Sequence, residues 1–207
     1  MNALDHTLLA AAAHGDAVAV RAALDAGARV EARDRHRRTP LLRAALRDHV
    51  PAARALLAAG ADPNAQDDRS DSPWLVTGVT GSVAMMRALL PAGPDLKLTN
   101  RHGGTALIPA AERGHVPYVR AVLHETAIDV DHVNRLGWTA LLEAVILGSG
   151  ARAHQDVVAL LLTAGADPEL PDPYGRTALQ HAERHGLTEI AALLRRAGSG
   201  GALRPAA

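Results

Sequence analysis

The 207-residue chain contains no cysteine and no phenylalanine, and it has only two tryptophans and two tyrosines. Without thiols there is no disulfide framework, no cysteine-based zinc site and no thiol nucleophile. With four aromatic residues in all, large rings cannot organise the core. Charge of either sign is also not in excess: 22 basic residues balance 22 acidic ones, and the pI is near 7.2. That removes the basic surplus expected of a general nucleic-acid binder. No apolar run approaches the roughly 18–20 residues of a membrane-spanning helix, so no membrane insertion is expected. The start, Met1 to His6, carries Asp5 and no Lys or Arg. It is unlike a secretory leader, and a cytoplasmic protein is the expectation; a leader already removed would leave the same picture.

What is present is alanine and leucine, 44 and 29 residues respectively. Lys97 is the one lysine among the 22 basic residues, which together with the alanine content points to a GC-rich bacterial genome.

The chain repeats itself. Thr39-Pro40-Leu41, Ser72-Pro73-Trp74, Thr105-Ala106-Leu107, Thr139-Ala140-Leu141 and Thr177-Ala178-Leu179 begin 33, 33, 34 and 38 residues apart, after a degenerate first copy at His6-Thr7-Leu8. Gly15, Asp48, Gly81, Gly114, Gly148 and Gly186 each lie nine residues after a triplet begins, and Gly27, Gly60, Gly93, Gly165 and Gly198 close the units. Three marker sets in register define a repeat architecture.

Each unit has a physical reading. The Thr or Ser caps a first helix of about two turns, and Pro at the next position loses nothing because its missing N–H would be unpaired there. Small residues such as Ala44/Ala45 and Ala110/Ala111 allow helices to approach closely. A second helix carries aliphatic residues on one face, as in Leu56/Leu57 and Leu161/Leu162, and a glycine ends it. An Asx-x-x-Gly turn at Asn100–Gly103, Asn134–Gly137 and Asp172–Gly175 then restarts the cycle.

On these motifs the chain resembles the ankyrin-repeat family, with six repeats at about 1–33, 34–66, 67–99, 100–133, 134–171 and 172–198 and a flexible tail at 199–207. The segments Gly103–His115 and Gly137–Ala144 resemble a bacterial subgroup of it. The resemblance implies an all-α solenoid, a single domain over 1–198, of helix-turn-helix units joined by β-turn-like tips. It also implies a binding role without chemistry of its own. Arg37 and Ser70 replace the turn glycine, Asp48 replaces the helix-helix glycine and Trp74 replaces a triplet leucine. A modest turn rearrangement is expected there, with the third repeat the most distorted.

Signals for chemistry are weak. His181 and His185 share a helix face around Glu183, but metalloprotease spacing needs Glu directly after the first His and a third ligand. No phosphate loop, Ser-His-Asp arrangement or paired carboxylates occur. No cofactor, metal or catalytic residue is assigned. The run Arg33 to Arg38, with Arg43 and Arg47, could meet an acidic partner. Neutralisation by Asp67, Asp68 and Asp71 on the next tip weighs at least equally.

The scaffold leaves its tips and the row of its first helices on the same, concave side free for a partner. In the fourth to sixth repeats these positions are Arg101, His102, Glu112, Arg113, Leu136, Trp138, Glu143, Ile146, Leu147, Tyr174 and Arg176. Apolar and aromatic groups there favour contact with another protein. The competing expectation is that the enlarged loop Ser149–Ala153 folds over them. A monomer that binds a partner protein as regulator, scaffold, or inhibitor or immunity partner is therefore expected. The alternative is a ligand- or metal-binding protein, catalytic or not, that uses a histidine-rich inner face.

Overall fold

The computed structural model describes residues 2–198; the tail expected at 199–207 lies outside the described residues. All regular structure among the described residues is helical, without a strand. The chain forms two compact units, Met1–Arg101 and His102–Ala207.

In the first unit α1 (Ala3–His14), α3 (Pro40–Ala45) and α5 (Pro73–Thr80) alternate along the chain with α2 (Ala17–Asp25), α4 (Val50–Ala58) and α6 (Val83–Leu89). Helix α3 packs between α1 and α5, and α4 between α2 and α6, so each repeat adds one helix to each of two layers. Leu8, Leu41, Leu42, Leu56, Met85, Met86 and Leu89 fill the seam. Ala12, Ala44, Ala45, Ala52 and Ala53 are wholly buried at the close contacts, which explains the alanine content.

The second unit repeats the plan. Helices α7 (Leu107–Glu112), α9 (Ala140–Ile146) and α11 (Ala178–Arg184) form one layer, and α8 (Val116–Glu125), α10 (Arg152–Thr163) and α12 (Thr188–Gly198) form the other. Its core includes Leu107, Tyr118, Leu141, Val157, Leu161 and Ile190.

The caps follow the triplets with two exceptions. Thr39, Ser72, Thr139 and Thr177 accept the N–H groups of Leu42, Leu75, Leu142 and Gln180. Thr7, however, lies inside α1 and donates to the Ala3 carbonyl; Asn2 is the cap there, in a reciprocal pair with Asp5. Thr105 is not the cap of α7, and its buried hydroxyl has no hydrogen-bond partner among the described residues.

The turns at Arg37 and Ser70 are not rearranged. Both residues take φ of 59°, and Asp48 takes 56°, within the left-handed region that glycine fills at the equivalent places. Arg37 N–H donates to the Asp34 carbonyl at 2.9 Å, as Gly137 donates to Asn134 at 2.9 Å. The turn bond and the Asp side chain hold the backbone, and the steric cost is carried rather than relieved. In the third repeat, Trp74 is wholly buried with its indole nitrogen unpaired among the described residues, and α6 gives way to a 3-10 turn at Leu90–Ala92.

Candidate functional site

Each tip is set by an Asx side chain. In the second unit Asn134 Oδ1 accepts the N–H of Leu136 at 2.9 Å and of Trp138 at 3.1 Å. Asp172 Oδ1 does the same for Tyr174 at 2.8 Å and Arg176 at 2.9 Å. Short Asx side chains mimic a backbone turn in this way, so the residues two and four places on are held in fixed directions.

Adjacent tips touch along their edges. Arg135 N–H donates to the His102 carbonyl at 2.9 Å, and His132 Nε2 lies 2.7 Å from the Gly103 carbonyl. A Cβ on Gly137 would sit 2.4 Å from Pro173 Cγ, so glycine is required there for contact as well as for φ. The tips of the fourth, fifth and sixth repeats are thus neighbours.

The exposed large apolar groups of this unit are Val133, Leu136, Leu147 and Tyr174, and Tyr174 is the most open at 82%. The enlarged loop does not cover them. Arg152 belongs to α10, and the loop instead turns at Gly150, where a Cβ would strike Leu187. Trp138 and Ile146 are half-buried, while His102, Arg113 and Arg176 are exposed and Glu112 is intermediate. The Arg176 guanidinium stands 6.0 Å from the Tyr174 ring centre. Arg113 pairs with Glu112 at 2.8 Å. Arg101 belongs to the first unit, where it lies 3.9 Å from Asp71.

Glu143 departs from its expected place on the open face: it is 5% exposed and accepts a hydrogen bond from Asn134 Nδ2 at 2.7 Å. Burial, with Glu112 nearby, pushes its carboxyl above the usual range, against the Asn134 bond and Arg113. At the equivalent place in the next repeat, His181 Nε2 lies 2.8 Å from Asp172 Oδ2. Burial raises the Asp172 carboxyl, but the Arg176 N–H, His181 and the Tyr174 N–H outweigh it, and the net shift is downward. Val133, among the exposed groups, was not identified from the sequence because it precedes the Asx turn and belongs to no repeat marker.

Other histidines join repeats. His49 Nε2 reaches the Ala13 carbonyl at 3.2 Å beneath Gly15, and His154 Nε2 reaches the Glu112 carbonyl at 2.9 Å beneath Gly114. The five-residue insertion Ser149–Ala153 therefore lies just before the histidine of its repeat, and His154 restores the register. The rings of His181 and His185 meet edge to face at 6.1 Å. No group of three or more His, Asp or Glu side chains placed to hold a metal occurs among the described residues. No helix of the described residues is long and apolar enough to cross a membrane.

Paired helices on stacked seams, left-handed closing residues and Asx-set tips define a helical repeat protein. The chain belongs to the ankyrin-repeat family, whose model, described as ankyrin repeats (3 copies), matches residues 1–67 and 76–172. Ankyrin repeats are generally protein–protein interaction modules without enzymatic activity. The chain is similar to an ankyrin repeat domain from Acinetobacter baumannii AYE, with 50% identity and a TM-score of 0.88, covering 92% of this chain and 97% of that one. It is 48% identical over 99 residues to the ankyrin repeat protein YahD of Escherichia coli K12, a match spanning 48% of this chain and 49% of YahD. It is also 36% identical over 102 residues to the cyclin-dependent kinase 4 inhibitor B of Bos taurus, 49% of this chain and 72% of that protein. The matches thus span about half the length of YahD and a larger share of the kinase inhibitor.

Proposed function

We propose that this protein binds a partner protein through the tips of its second unit and the first-helix positions on the same side, centred on Leu136, Leu147 and Tyr174. The observation that carries the reading is Tyr174, 82% exposed on a tip whose direction Asp172 fixes. An exposed tyrosine adds nothing to the core, and aromatic rings with a neighbouring arginine are the types that dominate binding energy at interfaces. A preset tip also loses little conformational entropy on binding.

Occlusion of a partner's working surface, as a regulator or inhibitor, is the role this reading favours. The similarity to a protein named as a kinase inhibitor is in keeping with it. The protein acts as a monomer in this account. Tyr174→Ala should abolish capture of the partner while leaving thermal unfolding unchanged. Retained capture, or loss accompanied by unfolding, would count against the face.

A further inference from the structure

The first unit carries a separate feature. A pocket of about 400 Å³ opens between α1, the tip of the second repeat and α3, bounded by His6, Leu9, Ala10, Asp34, Arg35, Arg38 and Arg43. We propose that this pocket receives an acidic side chain from an extended segment of a partner protein, its carboxylate held by Arg35 and Arg43 and its methylene stem resting on Leu9 and Ala10.

The argument begins with charge. Asp34 is the one acidic side chain lining the pocket, and most of its capacity is used within the turn. Its Oδ1 accepts the N–H of His36 at 2.8 Å and of Arg38 at 3.0 Å, and its Oδ2 takes Arg38 Nε at 3.1 Å. Arg43 Nη1 stays 3.9 Å away, beyond hydrogen-bond distance. Its guanidinium makes no hydrogen bond with any described residue, although only 26% of the side chain is exposed. Burial lowers its affinity for a proton, Asp34 restores part of it, and Arg38 and Arg47 lower it further. Arg35 spends one donor on His36 Nε2 at 3.0 Å and has no acidic partner among the described residues.

Neutralisation by the next tip does not reach these two arginines. Asp68 faces His36 at 3.6 Å, Asp71 lies 3.9 Å from Arg101, and Asp67 Oδ1 accepts the N–H groups of Arg69 and Asp71. Arg33 is withdrawn from the surface run, since it donates to the carbonyls of Arg37 and Gln66. The pocket therefore holds three guanidinium groups and the His6 imidazole against one carboxylate, with a partly desolvated arginine at its wall. A hydrogen-bonded carboxylate at such a site is worth more than one in open water.

The occupant is a protein side chain rather than a polyanion for two reasons. The chain has no net charge, so nothing draws a phosphate backbone from a distance. Leu9 and Ala10 are among the pocket's lining residues, which suits the stem of Glu or Asp. This site is distinct from the Tyr174 face, and each can fail without the other.

The test is a titration of the isotope-labelled full chain with a capped tetraglutamate peptide at low ionic strength, followed by NMR. The expected result is movement of the Leu9, Ala10 and Arg43 Nε–Hε resonances, silence with capped tetraglutamine, and affinity reduced about tenfold by Arg43→Gln. Arg43→Lys should retain part of the binding, and melting of both variants shows whether they are folded. Equal binding by folded R43Q, shifts located elsewhere, or inorganic phosphate binding as tightly as the peptide would each overturn the proposal. A dimer in sedimentation that R43Q abolishes would replace the partner with a second copy of the chain.

Discussion

Asn134 and Glu143 form a buried brace: the amide Nδ2 donates to the carboxylate Oε1 at 2.7 Å, tying the fifth tip to the first helix of its own repeat. Asp172 and His181 occupy the same two places one repeat later, 2.8 Å apart. In the second repeat the corresponding pair is Asp34 and Arg43, loosened to 3.9 Å. The position nine residues after the turn-opening Asx thus holds the tip in the fifth and sixth repeats, whereas Val76 and Pro109 occupy it in the third and fourth.

The brace gives Glu143 a defined pH behaviour. Its carboxyl is raised in the folded state, chiefly by burial and then by Glu112. Over the interval between its unfolded and folded values the folded state binds more protons, so stability falls as pH rises through that interval. Glu143→Gln keeps the acceptor for Asn134 and removes the charge. It should flatten this loss and leave stability at neutral pH equal or higher, whereas Glu143→Ala should cost about 1–3 kcal/mol by stranding a buried donor. Urea unfolding at several pH values measures both.

Asp5 behaves in the opposite sense. Arg29 donates to it from Nη2 at 2.7 Å, from Nε at 3.1 Å and from its backbone N–H at 3.0 Å, and these bonds lower the carboxyl to about 2. The stabilisation is present above the unfolded value of 3.8 and is lost as pH falls through about 2. Asp5→Asn should lower the melting temperature at neutral pH and narrow its difference from the wild type in acid.

The left-handed residues make a graded prediction. Arg37→Gly and Ser70→Gly should each stabilise the protein by up to about 1 kcal/mol, since glycine adopts this conformation without strain but has more freedom to lose on folding. Asp48→Gly should not, because the Asp48 carboxylate accepts a hydrogen bond from the Ser82 hydroxyl that links two repeats. Thermal melts of the three variants distinguish these outcomes.

The repeat itself was legible because its markers encode local geometry: a hydroxyl at a helix start, glycine where φ is positive, alanine where helices touch. Contacts that cross between elements were less so. Glu143 sits one position from the small residues of its helix, and nothing in helical periodicity reveals that Asn134 reaches back to it. Asn2 caps the first helix in a reciprocal pair with Asp5, a start that the degenerate triplet His6-Thr7-Leu8 does not mark. The insertion was visible as five extra residues, but its return to register through His154 depends on a carbonyl in the preceding repeat.

The most direct test of the account compares two exposed sites in one binding experiment. Wild type, Tyr174→Ala and a control on the other helix layer, Arg120→Ala, are immobilised and exposed to native extract, with Leu141→Ala as a core variant expected to lose about 2–5 kcal/mol of stability. Wild type and Arg120→Ala should retain the same specific protein, and Tyr174→Ala should lose it while melting like the wild type. Retention by Tyr174→Ala, or selective loss by Arg120→Ala, would contradict the assignment of the binding face.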